Sequence, residues 1–181
     1  MFSAWLHFKT ITYHKYLVAK GCFQVGLYWQ GILHDLSKYS PSEFWVGVRY
    51  YQGTRSPNDA EREQIGYSSA WLHHKGRNKH HYEYWIDYSK KARPGEMIPV
   101  PMPDRYIAEM IMDRIAACKV YKGKDYTDAS AYEYFQKGRN LNTMHEYTAS
   151  MLEKYLSMLA TEGEDNTYRC IKRELVKKGK K

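Results

Sequence analysis

Four of the chain's eight histidines fall within nine residues, in the run HHKGRNKHH from His73 to His81. Imidazoles at that density suit metal ligation, proton transfer or phosphate binding, and a polar loop is the plain alternative. The other partners must come from elsewhere, and three places offer them. His34-Asp35 lies in GILHDLSKYS, flanked by Ile32, Leu33 and Leu36. A carboxylate in such an apolar stretch is costly unless it is paired or holds a cation. His14, in ITYHKYLVAK, shares a helical face with Ile11, Val18 and, one heptad earlier, His7. Asp113, in YIAEMIMDRIAACKVY, shares its face with Met110, Ala117 and approximately Ile107, so it points inward and needs a partner. Arg114 is the ordinary partner for it, and a cation is the other. Packing alone remains the plain reading of the His34-Asp35 pair and of His14.

Helices must position these residues. Ser40-Pro41-Ser42-Glu43 and Ser56-Pro57-Asn58-Asp59 each put Ser at the N-cap, Pro at the first helical position and an acid two residues later. Periodicity and punctuation place helices at about 2–20, 27–37, 41–51, 57–74 and 104–121. A further helix opens at Thr143-Met144-His145-Glu146 and runs to about 160, and a last one spans about 165–178 beyond Gly163. On the short helix 27–37, adjacent side chains lie about 100° apart. His34 and Asp35 would then reach one ion from neighbouring corners of its coordination sphere. Residues 93–103, RPGEMIPVPMP, carry four of the six prolines and read as an extended connection. No alternating strand, hairpin signal or repeat is evident. The class is all-α, a single-domain helical bundle over 1–181, with a core at about 5–122, C-terminal helices at about 127–178 and a basic tail at 177–181.

Composition narrows the function. A hydrophobic share of 43% with 15% aromatic residues excludes a disordered chain. No apolar run approaches the roughly 20 residues of a membrane span, and MFSAWLHFKTITYHK lacks the features of a signal peptide. Cys22, Cys118 and Cys170 are scattered, which suits the reducing cytoplasm, the expected location. Of the net charge of +8, part lies in Lys172-Arg173 and the tail, which complements a helix dipole or serves as a nucleic-acid arm without interleaved aromatics. The remainder favours an anionic partner such as a phosphate ester.

The ordered series His14, His34-Asp35, Asp113 in a helical chain resembles the HD superfamily of metal-dependent phosphohydrolases. There the first histidine is typically followed a turn later by an aliphatic residue, as Val18 follows His14. The HD pair often sits in a small-residue-apolar-HD-apolar-Gly-Lys setting, and the stretch here reads Gly31-Ile32-Leu33-His34-Asp35-Leu36-Ser37-Lys38, with Ser37 in place of glycine. The last acid usually precedes small residues, as Asp113 precedes Ala116 and Ala117. The chain also resembles an uncharacterised bacterial family of small HD-like proteins through blocks such as HDLSKYSPSEF and AWLHHKGRNKHH. The linker RNKHH differs from the DG-x-GYP of cyclic-dinucleotide phosphodiesterases.

The resemblance implies an HD-type bundle in which His14, His34, Asp35 and Asp113 hold a divalent transition ion. Mn, Fe, Co or Ni suit nitrogen-rich ligation better than Mg. It makes His73, His74, His80 and His81 the candidates for a second ion, for protonating a leaving group or for phosphate binding. Asp35, His74 and His81 are the expected catalytic residues. Neighbouring rings cannot easily share one metal, so one histidine of each pair is expected to ligate and the other to support it. Gly76 should break the helix and let His80 and His81 fold back toward His73 and His74. Lys38, Lys75, Arg77, Lys79 and Arg114 are placed nearest a substrate anion, with a solvated surface role as the alternative. Glu83 and Asp87 would orient the rings or remain surface acids. Tyr50, Tyr51, Trp71, Tyr82, Tyr84 and Trp85 would stack a nucleobase or fill the core. The expected function is hydrolysis of a nucleotide or other small phosphate ester, with no membrane partner and with a homodimer compatible with the aromatic-rich surface. A di-iron oxygenase of HD type and a non-enzymatic nucleic-acid-binding module are the rivals.

Overall fold

Serine, proline and glycine set most helix boundaries in the computed structural model, which describes residues 2–90, 93, 95–138 and 143–177. Eight α-helices appear among them: α1 (Phe2–Val25), α2 (Tyr28–Leu33), α3 (Pro41–Arg49), α4 (Pro57–Ile65), α5 (Ser69–Lys75), α6 (Asp104–Lys122), α7 (Ser130–Lys137) and α8 (Glu146–Ile171). The all-α, single-domain bundle expected from the sequence is what forms. No helix among the described residues is long and apolar enough to cross a membrane.

Several boundaries differ from the sequence reading, each for a local reason. The helix expected at 57–74 is two helices. Gly66, at φ 84°, takes the left-handed conformation that closes α4, and the Ser68 hydroxyl accepts from Trp71 N to open α5. Ser56 accepts from Asn58 N, whereas Ser40 turns its hydroxyl to Ser42. His145, not Thr143, caps α8 by accepting from Tyr147 N. Gly163, at φ 78° and ψ 176°, kinks that element into two helical stretches, where the sequence places its break, and the second ends in a π-helical turn, Lys172–Lys177. The tail residues 178–181 lie outside the described residues, as does Pro94. The proline-rich segment is extended, and part of it is a strand: β2 (Met97–Pro99) pairs antiparallel with β1 (Ile86–Tyr88), Ile86 opposite Pro99 and Tyr88 opposite Met97. Three residues per strand are too few for an alternation to show.

The core forms where α1 lies on α6, with Val18, Cys22 and Val25 against Ile107, Ile111 and Ile115. It continues into α7 and α8 through Phe135, Leu152, Tyr155, Leu156 and Leu159, and closes on Ile171, Leu175 and Val176. Each fully buried aliphatic side chain contributes about 1.5–3 kcal/mol. The three cysteines are free thiols. His7, the heptad neighbour of His14, is buried between Phe44 and Tyr51.

Glycine at position 31 lets α2 lie against α1. A Cβ there would stand 3.0 Å from Cys22 Cβ and 3.2 Å from the Ala19 Cα, and that backbone cannot yield without lifting α2. Gly31→Ala is therefore expected to destabilise the fold by roughly 1–3 kcal/mol, lowering Tm by about 2–4 °C per kcal/mol. Thermal denaturation checks this, and an unchanged melt would mean that α2 is loosely seated.

Candidate metal centre

Regular and irregular elements supply different halves of one cluster. His14 comes from the buried face of α1, and Asp113 and Glu109 come from α6, one turn apart. His34 and Asp35 lie in the turn after α2 rather than on a helix, because α2 ends at Leu33. Asp35 has φ 53° and is the one non-glycine residue at positive φ among those described. Aspartate tolerates this conformation better than most residues, and backbone strain of this kind gathers at functional sites. The Lys15 ammonium donates to the carbonyls of Ile32 (2.5 Å) and His34 (2.7 Å), pinning the turn to α1. His74 ends α5. The Asn78 amide donates to Ser37 Oγ and to the His74 carbonyl, both at 2.8 Å, and the loop so held brings back His80 and His81.

The Asp35 carboxylate divides the cluster. Its Oδ2 lies 3.2 Å from His34 Nε2 and 3.7 Å from His14 Nε2. Asp113 Oδ1 completes that side, 2.9 Å from His14 Nε2 and 3.4 Å from His34 Nε2. Asp35 Oδ1 faces the other way, 3.2 Å from His74 Nε2 and 3.3 Å from His80 Nε2. His81 Nε2 lies 2.9 Å from His74 Nε2. Within each four-residue set the donor atoms lie within 4.8 Å of one another.

Two further carboxylates hold the rings from behind. Glu109 Oε1 faces the Nδ1 atoms of His34 (3.0 Å) and His80 (3.2 Å). Glu43 faces His74 Nδ1 (2.8 Å) and His73 Nδ1 (2.6 Å).

These residues fit a cation on two counts. Metal–ligand bonds of about 2.1 Å put neighbouring donors about 3.0 Å apart in an octahedron and about 3.4 Å apart in a tetrahedron, and the separations above fall around those values. Both Asp35 oxygens, His34 Nε2 and His80 Nε2 are also buried with no hydrogen-bond partner, a costly state for polar atoms. The Lys38 ammonium, 2.6 Å from Asp35 Oδ2, offsets part of that cost as an ion pair.

Burial and charge oppose each other at every group. Burial would raise the pKa of Asp35, yet His34, Lys38 and His74 hold it well below the usual carboxylate range. Burial likewise works against ionised Asp113 and Glu109. His14 and His34 keep Asp113 well below its ordinary value, and hydrogen bonds from His34 and His80 take Glu109 to about 2. His34, His74 and His80 are raised despite their burial by Asp35 together with Asp113, Glu43 or Glu109. Burial lowers His14, and Lys38 adds to the effect, so the His14–Asp113 contact is a neutral ring donating to an anion. Burial and the charges of His80 and His74 drive His81 well down.

Seven of the eight residues expected as ligands thus come together: His14, His34, Asp35, Asp113, His74, His80 and His81. His73 stands outside, its side chain 23% exposed and bonded to Glu43. One ring of the first pair is used as expected, whereas both rings of the second pair enter the cluster. That is possible because His80 and His81 sit in a loop and the beginning of a short 3-10 turn, not on one helix face.

Of the basic residues, Lys38 is at the cluster. Arg77 is exposed and donates to the His73 carbonyl, and the Lys79 ammonium sits over the Tyr84 ring. Lys75 is half-buried at the end of α5. Arg114 faces the Phe135 ring, so the partner of Asp113 is His14 rather than Arg114. Asp87 bonds to the Tyr88 N–H and Glu83 is half-buried. The orienting acids are Glu43 and Glu109, which sequence reading did not select. Glu109 is four residues before Asp113 and Glu43 was legible only as a capping acid. Trp71 packs on His81 and His74. The Tyr51 hydroxyl meets Thr10, the Trp85 indole N–H donates to the Lys79 carbonyl, Arg49 lies over Tyr50, and Tyr82 packs on the core.

Fold and site together describe a small helical protein built round a buried imidazole–carboxylate cluster. The chain belongs to a family of unknown function (DUF5662), whose family model matches residues 3–158. No curated protein and no solved structure matches it.

A cation binding here competes with the protons that surrounding carboxylates hold on His34, His74 and His80. Because those pKa values are raised, the competing protons are retained above the ordinary imidazole range and gained further as pH falls. Affinity for Zn²⁺ or Co²⁺ is therefore expected to rise with pH, with net proton release on binding. Calorimetry in buffers of different ionisation enthalpy measures that release, and binding that releases none contradicts the assignment of these rings as ligands.

Proposed function

We propose that this protein is a metal-dependent phosphohydrolase acting on a nucleotide or another small phosphate ester. Its centre would take one divalent ion at His14, His34, Asp35 and Asp113 and a second at Asp35, His74, His80 and His81. The observation that carries the reading is that Asp35 presents one buried oxygen to each set. The likeness of the series His14, His34-Asp35, Asp113 to HD phosphohydrolases supports it. Five imidazoles and two carboxylates favour Mn, Fe, Co or Ni over Mg.

Divalent ions so placed supply a bound water of lowered pKa and screen phosphoryl oxygens. The chain's own residues do the rest. Asp35 and Asp113 bring negative charge to the ions, and Glu43 and Glu109 keep the rings turned inward. Lys38, 28% exposed beside Asp35, is the cation placed to bind a phosphoryl oxygen. His74 and His81 serve as ligands in this reading, and His81 is held neutral by burial and by the charges of His80 and His74. A di-iron oxygenase is the second reading, favoured by a shared carboxylate between two nitrogen-rich sets. Burial of His74, His80 and His81 weighs against a nucleic-acid surface built on this loop.

Elemental analysis of gently purified protein is expected to find at least one equivalent of a divalent transition ion. Asp35→Ala is expected to lower hydrolysis of active substrates from a panel of nucleotides and generic phosphate esters by at least about 100-fold. Less than one equivalent of metal, or hydrolysis unchanged in Asp35→Ala, overturns the reading. Stoichiometric iron with an absorbance band that changes under oxygen, and no hydrolysis, decides for the oxygenase.

A further inference from the structure

We infer that Glu109 is a positioning residue that makes the two halves of the centre a single binding unit; the inference rests on the two-ion reading above. Its Oε1 is shared by His34 Nδ1 at 3.0 Å and His80 Nδ1 at 3.2 Å. These rings belong to different donor sets, and their centroids are 4.4 Å apart. An ionised carboxylate only accepts, so the hydrogen-bond network assigns a proton to Nδ1 of both rings. With cations bound, both Nε2 atoms are then left with lone pairs. They are the two ring nitrogens of the cluster that are buried without hydrogen-bond partners, one 3.2 Å from Asp35 Oδ2 and the other 3.3 Å from Asp35 Oδ1. A single oxygen of Glu109 therefore selects the ligating nitrogen on both sides of Asp35.

Apart from Asp35 itself, no other described residue of the cluster faces rings of both donor sets. Among the ligands Glu43 orients only His74, and Asp113 contributes to one donor set. Glu109 is itself fixed: its Oε2 accepts from the Gln30 amide at 3.0 Å, and the same amide donates to the Arg105 carbonyl. His34, His80 and Glu109 also lie close enough to hold an ion among themselves. The use of both ring Nδ1 atoms and the second oxygen in hydrogen bonds favours positioning over ligation.

Zn²⁺ titration by calorimetry, with ¹H–¹⁵N spectra of the histidine rings in the loaded protein, tests the inference. Wild-type protein is expected to bind two ions, with His34 and His80 both ligating through Nε2 and both showing downfield Nδ1 protons. Glu109→Gln is expected to weaken both binding events by about 10–100-fold and to move both protons upfield together, as losing the partner behind a ligating histidine does. Glu43→Gln should weaken only one event. Circular dichroism reports folding, and if Glu109→Gln does not fold, Gln30→Ala decides, with a smaller loss expected in both events. Two ions in wild type with loss of one event, or none, in the deciding variant overturns the role of Glu109 and leaves the two-ion reading standing. Fewer than two ions in wild type overturns the two-ion reading and this inference with it.

Discussion

The enclosed negative charge of Asp35 is the constraint around which the structure is arranged. An ionised carboxylate removed from water costs several kcal/mol unless its surroundings compensate, and this one is 1% exposed. Its backbone also adopts a left-handed conformation that only a few residue types accept readily. Neither cost is required by packing, since a small apolar residue in an ordinary turn would close α2 more cheaply. Both are matched by what the position gains. Imidazoles from α1, α5 and the following loop, together with the Lys38 ammonium, face its two oxygens. The turn that carries it is tied to α1 through the Lys15 ammonium.

The two sides of that carboxylate are built differently. His14 and Asp113 come from α1 and α6, the helices whose apolar faces form the centre of the core. Their separation is set by helix packing, which resists small displacements. His74, His80 and His81 come from a helix end and a loop, where hydrogen bonds do the work of packing. Asn78 ties the loop to Ser37 and His74, Glu43 holds His74, and Trp71 lies against His81. The second half therefore depends on polar contacts that act as a network, in which loss of one partner exposes the others.

What could be read from the sequence follows the same division. Periodicity turned His14 and Asp113 inward correctly because both sit on long helices whose apolar positions repeat every three or four residues. It missed the break at Leu33, since Gly31-Ile32-Leu33-His34-Asp35-Leu36 keeps a helical apolar pattern while the backbone turns at His34 and Asp35. Tertiary context made that turn, through the Lys15 contacts, and no local propensity records them. Glu43 stood in sequence as the acid of a helix start, a role that hides its second use behind His73 and His74. The strand pair was illegible for its brevity. The HHKGRNKHH run was legible as composition but not as geometry, because which histidine points inward depends on where α5 stops.

Exposure around the cluster also gives it a direction. The Asp113 side chain is 15% exposed and Lys38 28%, whereas His34 and His80 are at 0% and 3%. Asp113 and Lys38 therefore mark the solvent side of the cluster, and His34 and His80 its interior. Arg77 and Lys79 are exposed and engaged with the His73 carbonyl and the Tyr84 ring, so of the basic residues expected near an anion Lys38 is the one that stands at the cluster. In a phosphohydrolase of this design, one ammonium and the ions themselves would neutralise the substrate. Under the phosphohydrolase proposal, such a site would suit a terminal phosphoryl group better than an extended polyanion, which would need a row of basic side chains.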